Sequence, residues 1–136
     1  MKILHKESGE TYEAIISEML PSDYTDVKKS KGFVFNWEAE SENKVYKIIL
    51  KEEESQILGL LSLIDYPEEF RIHVNLVEVS RTNVGKVKKL ENIAGCLIAF
   101  ACTLAFKRGY GGFVSLLPKT KLIDLYQEKY GFRQYG

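Results

Sequence analysis

Three apolar, β-rich runs in the middle of the chain constrain its fold more than any other feature. They read KVYKIILK, QILGLLSLIDY and FRIHVNLVEV, between residues 44 and 79. The polar breaks between them, EEES and PEE, are short enough for hairpin turns. Runs rich in Val, Ile, Leu and aromatic residues favour strands. We therefore predict an antiparallel sheet of three or four strands here, with GFVFNW as its first strand.

The pattern changes after Val79. A polar loop, SRTNVGKVKK, precedes a long apolar segment that predicts a helix from about Glu91 to Lys107. GGFVSLL then reads as a short buried strand, Pro118 opens another helix, and Gly131 ends it before a final short strand. A helix between two strands is typical of a crossover. The predicted fold class is α/β (α+β), with a mixed, largely antiparallel twisted sheet flanked by helices.

The N-terminal segment TYEAIISEML carries a helical pattern. Its apolar residues recur at helical spacing, namely Tyr12, Ile15, Ile16 and Met19. This spacing predicts an amphipathic helix that ends near Pro21, followed by a polar connection. Because no repeat, low-complexity tract or Pro/Gly/Ser linker divides the chain, we predict a single domain over all 136 residues.

Charge and cysteine content exclude some classes of function. Acidic and basic side chains balance at 19 each, so no global field draws the protein to nucleic acid or to a membrane. The most apolar run, from Ile93 to Phe106, is too short to span a bilayer. We interpret Cys96 and Cys102 as reduced core residues and predict a cytoplasmic protein. No spacing of His, Cys and carboxylates suggests a metal site.

The segment KLENIAGCLIAF places small residues where a helix begins. Ala94 and Gly95 would let an anion approach the free amides of the first turn. Nearby positive charge comes from Lys86, Lys88 and Lys89. One interpretation is a phosphate site. The other is tight packing of the helix against the sheet, with solvated lysines.

Two motifs resemble the GNAT N-acetyltransferase superfamily. KLENIAGCL resembles the pyrophosphate loop of that family, with Lys89 at its basic position and Leu97 at its leucine position. Asn92 and Ala94 stand at the two glycine positions of the loop. LYQEKYGF resembles the stretch in which the family ends a helix with tyrosine and then Gly-Phe. The order of elements from about Val45 onward is also similar, and includes a strand with a glycine, QILGLLSL.

The resemblance implies that acetyl-CoA binds in a V-shaped opening between two strands. The strand from Ile72 to Val79 would part from GFVSLL, and its edge would bind the pantetheine arm. Amides opening the following helix would hold the pyrophosphate, and the lysines would meet the 3′-phosphate. The coenzyme-binding residues implied in this way are Val77, Val79, Lys86, Lys88, Lys89, Asn92, Ile93, Ala94, Gly95 and Lys119.

The resemblance further implies an acetyl-CoA-dependent N-acetyltransferase that transfers an acetyl group directly to a primary amine. A base must remove a proton from the amine; Glu78 is the first candidate, directly or through water, and His73 is the second. Strict alternation places these two on opposite faces unless a bulge intervenes. Tyr126 stands at the general-acid position of the family and would protonate the departing thiolate. Each of the three residues also has a structural interpretation. Glu78 would be a surface or loop-capping carboxylate, His73 a half-buried strand residue and Tyr126 an aromatic residue of the core.

Two other classes of function remain open at this stage. The chain is also consistent with a GNAT-like binding or assembly module that has lost catalysis. The basic stretch GKVKK suggests a third possibility, a module that binds nucleic acid or a protein, but it is one short loop in a neutral protein. We expect no nucleic-acid or membrane partner and no metal. An exposed sheet edge after the C-terminal strand would favour a homodimer.

Overall fold

The structure is a computed structural model and describes residues 2–4, 8–81, 90 and 92–116 of the chain. These residues form six strands, two α-helices and two short 3-10 segments. The strands are β1 (Lys2–Leu4), β2 (Thr11–Glu18), β3 (Lys44–Leu50), β4 (Glu53–Tyr66), β5 (Arg71–Val79) and β6 (Val114–Leu116). The helices are α1 (Pro21–Ser30) and α2 (Ile93–Lys107), and the 3-10 segments are Trp37–Glu40 and Pro67–Glu69.

The six strands form one mixed sheet in sequential order, β1-β2-β3-β4-β5-β6. All neighbouring pairs are antiparallel except β5 and β6, which are parallel. Parallel neighbours need a long connection, and α2 provides it by crossing one face of the sheet. The predicted fold class is therefore confirmed, as are the strands predicted from KVYKIILK, QILGLLSLIDY, FRIHVNLVEV and GGFVSLL.

Helix α2 packs closely against the centre of the sheet. Leu97 and Ala101 on this helix are fully buried, as are Leu61 and Leu63 on β4. The close approach requires Gly59 on β4, because a Cβ atom there would lie only 3.0 Å from Ile93 Cγ2. The apolar residues that predicted this helix are thus the ones that contact the sheet. The absence of a side chain on Gly59 allows the short distance between α2 and β4.

The opposite face of the sheet packs against α1 and Trp37. Its buried cluster consists of Val27, Trp37, Val45 and Leu60. Asp23 joins α1 to the sheet, since its Oδ2 accepts a hydrogen bond from the Leu20 backbone amide at 2.7 Å and lies 2.9 Å from Lys47 Nζ on β3. One buried carboxylate therefore caps the helix and is itself neutralised.

The helix predicted over TYEAIISEML is wrong, because this segment forms β2. Ile15 pairs with Ile49, and Ile16 pairs with Ile48, both on β3. The β-branched pair Ile15–Ile16 suits a strand, and pairing with β3 outweighs the helical spacing of the apolar residues. The helix begins instead at Pro21, where a proline is compatible with the first turn.

The strand predicted for GFVFNW is also wrong. Residues 33–36 run without regular structure and lead into the 3-10 segment that starts at Trp37. Their backbone amides at Val34 and Phe35 bond to a carboxylate of β5 instead of a neighbouring strand. The aromatic residues that suggested a strand pack around Trp37 and α1.

Two further predicted elements, the helix opened by Pro118 and the final strand after Gly131, lie outside the described residues. The helix predicted from Glu91 to Lys107 is confirmed as Ile93–Lys107. Within the described ranges, neither α-helix has the length and apolarity that crossing a membrane requires.

Helix α2 provides a test of the core. Leu97→Ala should lower the free energy of unfolding by about 2–5 kcal/mol, because it leaves a cavity between α2 and Gly59. Phe106→Ala on the same helix should change it by about 0.5 kcal/mol or less, because Phe106 is 72% exposed. Denaturant unfolding of both variants measures the difference, and similar losses would mean that α2 does not pack as described.

Candidate functional site

A bulge in β5 shapes the site. Along the pairing of β4 with β5, Leu63 lies opposite Val74, but the next residue of β4, Ser62, lies opposite Leu76. Asn75 is therefore an extra residue with no opposing partner. An extra residue of this kind reverses the inward and outward alternation of every side chain that follows it.

The bulge brings His73 and Glu78 to the same face of the sheet. His73 pairs with Ile64, and Glu78 pairs with Leu60. Ile64 and Leu60 share a face of the regularly alternating strand β4, which is the face covered by α1 and Trp37. In a regular strand the two candidate bases would lie on opposite faces of the sheet. The bulge at Asn75 places both on the same face.

The Glu78 carboxylate accepts three hydrogen bonds from the segment that follows α1. The backbone amides of Val34 and Phe35 donate to it at 2.7 Å and 3.3 Å, and Trp37 Nε1 donates at 2.8 Å. A carboxylate has about four lone-pair positions, so one remains open. Glu78 thereby holds residues 34–37 against the end of β5.

A second carboxylate holds the 3-10 segment to the bulge. Asn75 Nδ2 donates to Glu40 Oε1 at 2.6 Å. Asn43 Nδ2 lies 3.4 Å from the same oxygen and 3.2 Å from the buried hydroxyl of Ser62. The bulged residue therefore uses its side chain to fix the segment that covers this face.

His73 lies in a polar cluster at the start of β5. Its Nδ1 is 3.0 Å from Ser115 Oγ on β6, and Arg71 Nη1 donates to that same hydroxyl oxygen at 2.7 Å. Arg71 also donates to Glu69 at 2.9 Å and lies 4.3 Å from the centre of the Tyr66 ring. Burial, and then the positive charge of Arg71, lowers the pKa of His73 below its ordinary value of 6.5. The imidazole is therefore neutral at pH 7.

Strand β5 extends beyond its pairing with β6. The described pairing ends at Val74 and Leu116, while β5 continues to Val79. Ser80 donates its backbone amide to Leu58 on the β4 side at 2.9 Å. Because backbone groups alternate along a strand, those of Val77 and Val79 point away from β4, towards the side on which β6 lies. Among the described residues, β5 and β6 pair at three positions only, none of them beyond Val74.

Helix α2 is the next regular element described after β5, and it packs against that strand. Asn92 precedes the helix with a φ of 66°, in the left-handed region. Its side chain folds over Gly95, where an added Cβ would overlap Asn92 Oδ1. Within the described part of the chain, no acceptor bonds the amides of Ile93, Ala94 or Gly95, whereas the amide of Cys96 bonds Asn92 O at 3.0 Å. Three amides at this helix start are thus available to a ligand.

Several predicted site residues lie outside the described residues. They are the coenzyme-binding candidates Lys86, Lys88, Lys89 and Lys119 and the proposed acid Tyr126. Across residues 8–81 and 92–116, no group of three or more His, Cys, Asp or Glu side chains is placed to hold a metal ion. Cys96 and Cys102 are half-buried free thiols, and burial raises the pKa of each.

The sequence analysis did not identify Arg71, Ser115, Asn75 or Glu40 as site residues. Arg71 and Ser115 come together only because β5 and β6 pair in parallel, across an intervening helix. Asn75 and Glu40 meet because of the bulge. Asn75 stands in the middle of β5 although asparagine is depleted in strands, and this is the signal in the sequence that points to an irregularity there.

Solved acetyltransferase structures resemble this chain over most of its length. A GNAT-family acetyltransferase from Streptococcus pneumoniae has a TM-score of 0.55 and 17% identity, covering 88% of this chain and 87% of that chain. The chain has the GNAT fold. No protein-family model matches the sequence, and no curated protein matches it significantly.

Two other GNAT-fold structures show what such neighbours bind or act on. An aminoglycoside N-acetyltransferase, solved in complex with CoA, has a TM-score of 0.61 and 11% identity, covering 92% of this chain and 91% of that chain. A ribosomal-protein-alanine N-acetyltransferase from Brucella melitensis has a TM-score of 0.60 and 14% identity, covering 90% and 95%. At these identities the likeness establishes the shared GNAT fold alone.

The hydrogen bonds of Glu78 can be tested by one substitution. Glu78→Gln should lower the free energy of unfolding by about 1–3 kcal/mol, because an amide group would face donors that need an acceptor. It should also shift the fluorescence of Trp37, the single tryptophan. The control is Glu38→Gln, one residue from Trp37 but exposed, which should change neither quantity. Equal behaviour of the two variants would contradict the anchoring role.

The backbone at the start of α2 gives a second test. Asn92→Gly and Asn92→Ala both remove the side chain that covers Gly95, but only glycine adopts a φ of 66° without a steric penalty. The alanine variant should therefore be less stable than the glycine variant by about 1 kcal/mol. Thermal unfolding of the pair measures this difference, and no difference would mean that the residue is not left-handed.

Proposed function

We propose that the protein is an acetyl-CoA-dependent N-acetyltransferase that transfers the acetyl group to a primary amine by direct attack on the thioester. The observation that carries the proposal is the edge of β5 beyond Val74, which pairs with no described residue of β6, together with three amides at the start of α2 that have no acceptor among the described residues. An extended arm can bond the edge, while a diphosphate suits the helix start. Both features occur in a chain with the GNAT fold.

On the coenzyme side, each group of atoms has a proposed partner. Backbone groups of Val77 and Val79 bind the pantetheine arm. The amides of Ile93, Ala94 and Gly95 bind the pyrophosphate, with Asn92 shaping the turn. The basic residues Lys86, Lys88, Lys89 and Lys119 bind the phosphates of the nucleotide end by charge. The hydrogen-bonding pantetheine arm thereby meets the backbone of β5, and the charged phosphates meet the start of α2 and the lysines.

The acceptor amine approaches from the face covered by α1, where His73 and Glu78 lie. In our proposal Glu78 takes the amine proton through a water molecule, because its carboxylate already accepts three hydrogen bonds and has room for one more. His73, the second candidate for this role, is neutral at pH 7 and lies beside the point where β5 and β6 part. Tyr126 donates a proton to the departing thiolate.

The acceptor is a primary amine of a small molecule, a peptide N-terminus, a lysine or an aminoacyl group. Neighbours with the GNAT fold act on aminoglycosides and on the alanine of a ribosomal protein, which span both small and macromolecular amines. The face that receives the acceptor is bounded by the segment that Glu78 and Glu40 hold in place. Carboxylates on this wall favour a cationic acceptor.

A second function from another class is a GNAT-like binding or assembly module without catalysis. The observation that favours it is the Asn92 side chain, which covers Gly95 at a position where the family's loop carries a glycine. Such a module would bind coenzyme and release no CoA. In either case we propose that the protein is cytoplasmic and has neither nucleic acid nor a membrane as a partner. We also propose that it forms a homodimer through the sheet edge after the C-terminal strand.

The proposal is tested by coenzyme binding and by turnover. Acetyl-CoA at about 100 times its Kd should stabilise the protein by about 2.7 kcal/mol, seen as an upward shift of Tm. Thiol release from acetyl-CoA should then appear with at least one amine of a panel containing an aminoglycoside, a peptide with N-terminal alanine and spermidine. The absence of a thermal shift would overturn the proposal, and a shift without turnover would favour the non-catalytic module.

A matched variant shows that the activity belongs to this protein. Tyr126→Phe should lower kcat by about 10²-fold, because a general acid is lost, while the KM for acetyl-CoA stays nearly unchanged. A Tyr130→Phe variant makes the same chemical change four residues later in the sequence and should retain activity. Equal activity of wild type and Tyr126→Phe would remove Tyr126 from the mechanism.

A further inference from the structure

The hydroxyl of Ser115 lies between two side chains that compete for it. Arg71 Nη1 is 2.7 Å from the oxygen, and His73 Nδ1 is 3.0 Å from it. A guanidinium can only donate, so the serine oxygen accepts from Arg71. The one proton of the hydroxyl then has His73 Nδ1 as its only acceptor among the described residues. The serine hydroxyl and the Nδ1 atom of His73 both have a hydrogen-bond partner if the serine donates to Nδ1.

We propose that Arg71 and Ser115 form a hydrogen-bond relay that keeps the proton of His73 on Nε2, so that His73 donates a hydrogen bond to the thioester oxygen instead of acting as a base. This inference rests on the proposed function. A neutral imidazole carries one proton, and the bond made at one nitrogen decides which nitrogen holds it. An Nδ1 that accepts from Ser115 leaves Nε2 as the donor.

The position of His73 fits a donor to the reacting carbonyl. It lies one residue before the end of the described pairing between β5 and β6. Because of the bulge, it is on the same face of the sheet as Glu78. Among the described residues no partner contacts Nε2. A preorganised N–H at such a point stabilises the negative charge that develops on oxygen during acyl transfer.

The charged and titratable groups around His73 favour the neutral ring. Arg71 on the same strand is positive and lowers the pKa of His73, although its guanidinium also forms a salt bridge with Glu69 at 2.9 Å. Tyr66 on β4 presents its ring at 6.3 Å, edge to face. On the covering segment, the Glu40 carboxylate is bonded by Asn75. No acidic side chain contacts the imidazole in the described residues, so none draws a second proton onto it.

The transfer step balances with His73 unchanged. The amine nitrogen forms a bond to the carbonyl carbon, and the carbonyl electron pair moves to oxygen, which accepts from His73 Nε2–H. When the carbonyl reforms, the carbon–sulfur bond breaks and coenzyme leaves as a thiolate, protonated by Tyr126. The surplus amine proton leaves through the water at Glu78 to the solvent, and the Tyr126 phenolate takes up one proton from the solvent, which restores the enzyme. His73 gains and loses no proton, and Arg71 and Ser115 are positioning residues.

The relay can be tested without any acceptor. Long-range proton–nitrogen spectra of ¹⁵N-labelled protein, from about pH 5 to about pH 8, report the tautomer and the pKa of His73. The chain has two histidines, so a His5→Gln variant assigns the signals. We expect the proton on Nε2. Ser115→Ala should raise the pKa of His73, because it removes a hydrogen bond to the neutral form.

The opposite sign would overturn the relay. If Nδ1–H donated to Ser115, the bond would favour the protonated ring, and Ser115→Ala would lower the pKa of His73. Ser115→Thr keeps the hydroxyl and should preserve the wild-type pKa. Ser17→Ala makes the same change on β2, at a half-buried position that pairs with Lys47, and should leave His73 unchanged.

Kinetics with the amine found active in the panel separate a donor from a base. His73→Gln keeps an N–H donor but cannot act as a base, so kcat should fall less than about 10-fold, whereas His73→Leu should lose about 10²–10³-fold. Equal losses in both variants would overturn the donor role. If wild type shows no turnover with any amine, the proposed function has failed, and the spectra still decide the direction of the relay.

Discussion

One extra residue in β5 determines the arrangement of the site. Asn75 has no opposite partner on β4, so side chains before and after it do not follow one alternation. As a consequence, the side chains of His73 and Glu78 lie on the same face of the sheet. The described pairing with β6 also ends beside this bulge, at Val74. The geometry of a single strand therefore places both candidate bases on one face, with His73 next to the last described pair of β5 and β6.

Two carboxylates, Glu78 and Glu40, hold the segment between α1 and β3 over this face of the sheet. Glu78 accepts from two backbone amides and the indole of Trp37, and Glu40 accepts from Asn75. The segment between α1 and β3 has little regular structure of its own, so its backbone donors need acceptors elsewhere. Glu78 provides them. Glu78, the first candidate for the base, is thus also the residue that holds this segment in place. Its carboxylate oxygens would have to serve both tasks.

The coenzyme side depends on packing of a different kind. Gly59 allows Ile93 and Leu97 to approach the sheet, which fixes where α2 begins relative to the end of β5. Asn92 then turns the chain in a left-handed conformation, with its side chain over Gly95. The close packing expected from the sequence is thus present, since Gly59 and the buried face of α2 bring the helix against the sheet. The phosphate site stays a prediction, which is compatible with three amides at the helix start that have no acceptor among the described residues.

The sequence alone determined the central sheet, the apolar helix α2 and the strand β6, because each depends on a local run of residues whose burial the pattern reveals. It failed for TYEAIISEML and GFVFNW, where tertiary partners decide the outcome: β3 pairs with the first, and Glu78 takes the amides of the second. Likewise His73 and Glu78 could be selected from their chemistry, but their common face could not, since one unpaired residue reverses alternation. The contact of Arg71 and Ser115 required the parallel pairing itself, which brings together residues far apart in the chain.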